Sequence, residues 1–152
     1  MPKRKEAPSQ HLLPSGSPNQ LLIVNYQLLI AKRMKENILK EKSMALAVRM
    51  VNLYKYLTEE KKEYVLSKQV LRSGTSVGAM VYESEHSEST SDFIHKLAIA
   101  QKEINETLYW LELLSRTDYI TPKEYDSIRT DATEVIKLLT SILKTTKIII
   151  IC

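Results

Sequence analysis

Residues 93–114 read FIHKLAIAQKEINETLYWLELL and carry the clearest structural signal in the chain. Apolar or small side chains alternate there at spacings of four and three residues: Phe93, Leu97, Ala100, Ile104, Thr107, Leu111 and Leu114. This spacing places one stripe along a single face of an α-helix. Because such a stripe must be covered by other helices, the segment predicts one member of a helical bundle.

Three other segments repeat this period. Their stripe positions are Leu46, Met50, Leu53 and Leu57 with an adjacent row at Ala47, Val51 and Tyr54; then Leu66, Val70, Ser73, Val77 and Met80; and finally Tyr125, Ile128, Ala132, Val135, Leu139 and Ile142. No proline occurs between Asn19 and Thr121, and the 152 residues include only three glycines. Strand-rich folds need more frequent turn residues, and short connections favour antiparallel neighbours. We therefore predict an all-α, up-down-up-down antiparallel four-helix bundle.

Capping patterns predict where two of the helices begin. Thr121 and Glu124 flank Pro122 with the spacing of a capping box, which predicts the start of the last helix. Thr58, followed by two glutamates, predicts the start of the second helix.

The ends of the chain differ from its middle. Residues 1–33 combine a basic Pro/Ser-rich tract with an apolar run at 21–31 that is too short to span a membrane. We predict that residues 1–33 are disordered or are an extension upstream of a start at Met34. Residues 34–147 are the predicted bundle, and residues 148–152 are a short apolar tail. The one cysteine, Cys152, allows no internal disulfide, which is typical of a cytoplasmic protein.

The net charge of +4 is unevenly distributed. Residues 1–42 hold eight basic and three acidic groups, so the remainder carries a net charge of −1. Binding to nucleic acid would therefore need a local basic surface. The candidate cations are Lys40, Lys42 and Arg49 in the first segment and Lys61, Lys62, Lys68 and Arg72 in the second.

The second segment contains an unusual run of small residues from Ser73 to Ala79. Gly74 and Gly78 lie four residues apart and allow a neighbouring backbone to approach closely. That neighbour is either another helix of the same bundle or a second subunit. The candidate contact residues, which include Trp110 away from the main stripe of the third segment, are Gln69, Arg72, Ser73, Gly74, Ser76, Gly78, Ala79, Glu83 and Trp110.

Arg72 and Glu83 lie eleven residues apart, close to three helical turns. They predict hydrogen bonds between helices or subunits, with a phosphate contact by Arg72 as the alternative.

Metal and catalytic sites are weakly supported. Glu83 and His86, and Asp92 and His95, have the acidic-x-x-His spacing found in di-iron bundles. The first and fourth segments supply no glutamate to their apolar stripes, so we expect no metal and no cofactor. No phosphate-binding loop or nucleophile motif is present, and we expect a protein that is not an enzyme.

The residues Gln69, Arg72, Ser73, Ser76 and Ala79 form the pattern Q-x-x-R-S-x-x-S-x-x-A. Together with SDFIHKLAIA at 91–100 and ETLYWL at 106–111, this pattern resembles the four-helix bundle protein family found in intervening sequences of bacterial 23S rRNA genes. It is also similar to the accessory variability determinant of diversity-generating retroelements. The family commonly has Asn and Gly where this chain has Met80 and Ser84.

The resemblance implies a ring-shaped homopentamer, and for the retroelement protein it implies binding to nucleic acid and to a reverse transcriptase. We therefore expect a cytoplasmic, oligomeric, nucleic-acid-associated accessory protein that binds RNA, DNA or a nucleic-acid enzyme and does not enter a membrane. The alternatives are a protein–protein scaffold without a nucleic-acid role and, more remotely, a metalloenzyme.

Overall fold

The computed structural model describes residues 16–151, and these form four α-helices without any strand. The helices are α1 (Pro18–Glu59), α2 (Leu66–Ser84), α3 (Thr90–Arg116) and α4 (Pro122–Ile151). The predicted all-α class is confirmed. With 42 residues, α1 is about 63 Å long, whereas α2 with 19 residues is about 28 Å long.

The first helix begins earlier than the sequence pattern suggested. Ser17 caps α1 through a reciprocal capping box with Gln20, and Pro18 occupies the first turn. The prediction of disorder over residues 1–33 is wrong for residues 18–33, which are helical. The physical reason is that this capped segment continues a helix already nucleated by packing further along α1. Residues 1–15 lie outside the described residues. At the other end, residues 148–151 continue α4 as helix.

The connection between α1 and α2 also corrects a prediction. Thr58 lies inside α1, where its hydroxyl donates to the Tyr54 carbonyl at 2.9 Å, so it does not cap α2. Instead, the carboxylate of Glu63 accepts hydrogen bonds from the backbone N–H groups of Leu66 at 2.8 Å and Ser67 at 2.6 Å. The capping box predicted for α4 is confirmed: the N–H of Thr121 donates to the Glu124 carboxylate at 2.7 Å, and the Glu124 N–H donates back at 3.2 Å.

The main predicted stripes supply most of the core, whereas the adjacent row of α1 does not, because Val51 is exposed and Ala47 and Tyr54 are half-buried. Buried side chains from all four helices make one apolar cluster, to which α3 contributes Leu97, Ala100, Ile104, Leu111 and Leu114. Thr107 belongs to the same stripe, and its hydroxyl donates to the Ser73 hydroxyl of α2 at 3.0 Å. Within the described part of the chain, no buried side-chain polar atom lacks a hydrogen-bond partner. The buried polar side chains of the core are therefore satisfied by hydrogen bonds.

Each helix packs mainly on two others. The principal contacts join α1 to α2, α2 to α3, α3 to α4, and α4 back to α1. Among residues 16–151, no helix is both long enough and apolar enough to cross a membrane.

Candidate functional site

The run of small residues on α2 contacts other helices of the same chain. A Cβ atom placed on Gly74 would lie 2.3 Å from Cγ of Met50, and one placed on Gly78 would lie 3.4 Å from the backbone oxygen of Ser43. Both glycines therefore face α1, and Ser73 faces α3 through Thr107. Of the other predicted contact residues on α2, Gln69 and Ser76 are half-buried, whereas Ala79 and Glu83 are exposed.

Arg72 makes hydrogen bonds to another helix of the same chain. Its guanidinium donates to the carboxylates of Glu103, at 3.2 Å, and Glu106, both on α3. Glu106 also accepts a hydrogen bond from the indole N–H of Trp110 at 3.2 Å. The hydrogen bond from Trp110, followed by that from Arg72, holds the pKa of Glu106 below its ordinary value. Arg72 and Trp110 are thus joined through one carboxylate at the α2–α3 contact.

Three more of the predicted nucleic-acid-binding cations are ion-paired within the chain. Lys40 lies 2.8 Å from the carboxylate of Glu85 and 4.4 Å from the ring centre of Tyr82. The hydrogen bond with Glu85 raises the pKa of Lys40. Lys42 and Arg49 each pair with a carboxylate of α4 at 2.5 Å, and their partners are Glu134 and Asp131.

These four cations form their ion pairs at three different helix contacts. Lys40 bridges α1 to the end of α2, Lys42 and Arg49 bridge α1 to α4, and Arg72 bridges α2 to α3. The structure therefore does not bring the predicted cations together on one face of the chain. Exposed ion pairs of this kind contribute little to stability, but each carboxylate reduces the charge available to an anionic ligand.

The remaining three predicted cations are exposed. Lys61 and Lys62 lie in the connection between α1 and α2, and Lys68 lies in the first turn of α2. Among the described residues, no ion pair involves any of these three lysines. Lys61 lies 5.8 Å from the ring centre of Tyr56, and Lys62 has a backbone φ of 53° in the left-handed region. All three lysines are therefore available to an anionic ligand at this end of the molecule.

A second set of exposed lysines was missed by the sequence reasoning. Lys137, Lys144 and Lys147 lie on α4, and all three are exposed. Lys137 and Lys144 are seven residues apart and therefore share one face of the helix. No acidic residue follows Glu134 in the sequence, which is the signal that could have identified this basic segment.

The acidic-x-x-His pairs do not converge. His86 lies in the connection between α2 and α3, and His95 lies on α3; both imidazoles are exposed. Over residues 16–151, no group of three or more His, Cys, Asp or Glu side chains is arranged to hold a metal ion.

A cleft of about 470 Å³ lies between α1 and the start of α4. Leu53, Tyr56 and Ile128 contribute apolar walls, and Arg49 lies at its edge. The guanidinium of Arg49 is engaged by Asp131 and by the hydroxyl and carbonyl oxygens of Ser127. The cleft thus offers apolar surface, while its arginine is already hydrogen-bonded.

Comparison with known proteins assigns a family. A crystal structure of a protein with unknown function from the S23 ribosomal protein family of Bacteroides thetaiotaomicron is 61% identical to this chain. That alignment has a TM-score of 0.72 and covers 72% of this chain and 98% of the other. No curated protein matches. The model of the family described as 23S rRNA-intervening sequence protein matches residues 35–141. Since that match covers well over half of the 152 residues, the chain belongs to the 23S rRNA-intervening sequence protein family, as its sequence motifs indicated.

Proposed function

We propose that this protein is a non-catalytic, homo-oligomeric accessory protein that binds RNA or DNA through a basic surface. The observation that carries the proposal is the row of exposed lysines on α4, formed by Lys137, Lys144 and Lys147. No carboxylate follows Glu134 to neutralise this row from within its own helix. The family description, which refers to a sequence within 23S rRNA, supports a nucleic-acid partner.

Phosphate recognition requires cations that are not already engaged. Four of the cations favoured by the sequence are paired with carboxylates inside the chain, whereas the α4 row and the cluster of Lys61, Lys62 and Lys68 are exposed. In a symmetric oligomer each row would be repeated by every subunit. The oligomer would then present several cations to one nucleic-acid molecule, even though the net charge of each subunit is small.

Among the described residues, the clearly shifted pKa values all favour the charged form, which supports a binding role in this proposal. The pKa values of Lys40, Lys42 and Arg72 are raised, and those of Glu63, Glu85, Asp92, Glu106 and Glu124 are lowered. Each of these groups takes part in an ion pair or a helix cap. A general acid or base near neutral pH needs the opposite shift for a carboxylate or a lysine.

The architecture in this proposal is an up-down-up-down bundle. Its support comes from the order of contacts between α1 and α4, in which Lys35 lies opposite Ser141 and Lys42 lies opposite Glu134. Residue numbers increase along one helix while they decrease along the other, as in antiparallel packing. The proposed compartment is the cytoplasm, because ribosomal RNA lies there.

Self-association is supported by the solvent side of α1. Met44, Val48 and Val51 are exposed by 45, 52 and 39%, although α1 also buries Leu46 and Met50 on its opposite face. Apolar residues on both faces of one helix favour a second packing surface. A homo-oligomer, and specifically the pentameric ring implied by the family resemblance, would cover it. The same surface favours the second candidate function, a scaffold for a protein partner such as a reverse transcriptase.

The test is fluorescence anisotropy of a labelled, structured RNA with the full chain across a salt series. We compare the triple variant K137E/K144E/K147E with K55E/K102E/K123E, which changes the net charge by the same amount at exposed lysines outside both clusters. We expect wild-type binding to weaken with salt, and the α4 variant to reduce the slope of log K against log salt by about two to three. Equal losses in both variants would show only a general charge effect and would contradict the α4 site. Absence of binding at low salt would eliminate the nucleic-acid proposal and leave the scaffold.

A further inference from the structure

The first fourteen residues of α1 form an arm, defined here as residues 18–31. Every side chain from Pro18 to Val24 is exposed, so the beginning of α1 extends past the helices that cover its later turns. The exposed large apolar side chains of the arm, each 45–67% accessible, are Leu21, Leu22, Ile23, Val24, Tyr26, Leu29 and Ile30. The arm precedes residue 35, where the match to the family model begins.

Apolar side chains occur on every side of the arm, with the polar side chains of Asn25 and Gln27 between them. Successive residues of an α-helix are rotated by about 100°, so Leu21, Leu22, Ile23 and Val24 point in four different directions. No charged residue occurs from Asn19 to Ala31. A helix that is hydrophobic all round is normally buried among other helices, whereas an amphipathic surface helix keeps one polar face in water.

The area involved is large for an uncovered surface. The seven side chains together expose an area on the order of 700 Å², above the roughly 300–600 Å² of the largest apolar patch on a typical monomer. The end of α4 adds Ile148, Ile150 and Ile151, which are 45, 58 and 86% exposed. The contact of Lys35 with Ser141 directs this end of α4 towards the arm. A second arm packed along one side would cover part of this surface, and the end of α4 would extend the contact towards the roughly 800 Å² that each partner buries in a standard interface.

We propose that the arm is a self-association element, and that its occupant is the arm of a second copy of this chain. Because the arm is uncharged, it offers no ionic complementarity to a foreign partner, whereas two identical apolar surfaces satisfy each other under rotational symmetry. A membrane-surface helix needs a strongly polar or charged face, which the arm lacks. This contact is independent of nucleic-acid binding and of the exposed surface at Met44, Val48 and Val51.

The test is sedimentation velocity of the full chain over a concentration series, with a monomer mass of 17.5 kDa as the reference. The double variant L22E/L29E places two carboxylates on one side of the apolar arm, because these residues are seven positions apart. The matched control N19E adds a carboxylate in the first turn, where the helix dipole favours it and no apolar contact is lost. Circular dichroism melting checks that the body is still folded, which we expect because Leu22 and Leu29 are 67 and 50% exposed.

We expect L22E/L29E to raise the dissociation constant of self-association at least about 100-fold, since two leucines lose their burial, while N19E matches wild type. An unchanged sedimentation profile for L22E/L29E would overturn the proposal. The variant M44E/V48E separates the arm from the other surface: if it dissociates the protein and L22E/L29E does not, the arm proposal fails while the oligomer of the proposed function stands. Co-sedimentation with phosphatidylcholine–phosphatidylglycerol vesicles that is lost in L22E/L29E, without any change in oligomer mass, would also overturn it in favour of a lipid surface.

Discussion

Replacing Gly74 with alanine should destabilise the protein, whereas the same replacement at Gly78, one turn further along α2, should not. A methyl group at position 74 would lie 2.3 Å from Cγ and 2.9 Å from Sδ of Met50, whose side chain is fully buried. At position 78 the nearest atom is the Ser43 carbonyl oxygen at 3.4 Å, which is ordinary van der Waals contact. The two substitutions are chemically identical and both lie inside one helix, so packing against α1 alone separates them.

The magnitudes follow from two opposing effects. Alanine gains up to about 1 kcal/mol of helix propensity over glycine at either site. At Gly74, overpacking against a buried methionine costs up to about 3 kcal/mol, because protein interiors are closely packed and the methionine must shift. We therefore expect Gly74→Ala to lower the free energy of unfolding by about 2 kcal/mol overall. Gly78→Ala is expected to leave it unchanged or to raise it by up to about 1 kcal/mol.

Urea denaturation at one fixed protein concentration, followed by circular dichroism, measures both effects. A loss of about 2 kcal/mol corresponds to a shift of the midpoint by roughly 1 M. The double variant M50A/G74A provides a check, because removing the methionine side chain should relieve the overpacking and make the two changes strongly non-additive. Equal stabilities for Gly74→Ala and Gly78→Ala would refute the close approach of Gly74 to Met50.

Two further predictions concern buried polar groups. Burial raises the pKa of Glu63, but the hydrogen bonds that its carboxylate accepts from backbone N–H groups lower it by more. The pKa of Glu63 therefore lies below its ordinary value of 4.5. The stabilisation from Glu63 is therefore present above the unfolded-state pKa and is lost as the pH falls through the folded-state pKa. Glu63→Gln should lower the free energy of unfolding by about 1 kcal/mol at pH 7. It should also make the free energy of unfolding fall less steeply below about pH 4.5, as measured by urea denaturation at several pH values. A fall as steep as that of wild type would contradict this prediction. For the buried hydroxyl pair, Thr107→Val should cost about 1–2 kcal/mol because Ser73 then loses a partner, and S73A/T107V should cost less than the sum of the single changes in a thermal-unfolding cycle; strict additivity would argue against the bond.

The apolar stripes were predictable because helical periodicity is a local property of the chain. Leu97, Ile104, Leu111 and their counterparts in the other helices are buried as their spacing indicates. The α4 capping box was predictable for the same reason, since Thr121 and Glu124 are only three residues apart. By contrast, the cap of α2 comes from Glu63, which lies within the short irregular stretch between α1 and α2 and belongs to no standard capping pattern.

The candidate cations show where local reasoning ends. Lys40, Arg72 and Lys68 look alike in the sequence, yet Lys40 and Arg72 meet carboxylates 45 and 31–34 residues away, while Lys68 meets none within the described residues. Whether a basic side chain is available to phosphate depends on such long-range partners. The lysines of α4 were visible only as a segment without acidic residues.

The amino-acid sequence by itself determined the helical class, the four core stripes and the family, because hydrophobic period and local motifs are properties of neighbouring residues. Only the tertiary structure decided that Gly74 and Gly78 face α1 of the same chain. It also placed Arg72 opposite Glu106 and left the arm of α1 uncovered. These outcomes depend on which helices pack together and at what register, and residues far apart in the chain determine that register through the fit of their side chains.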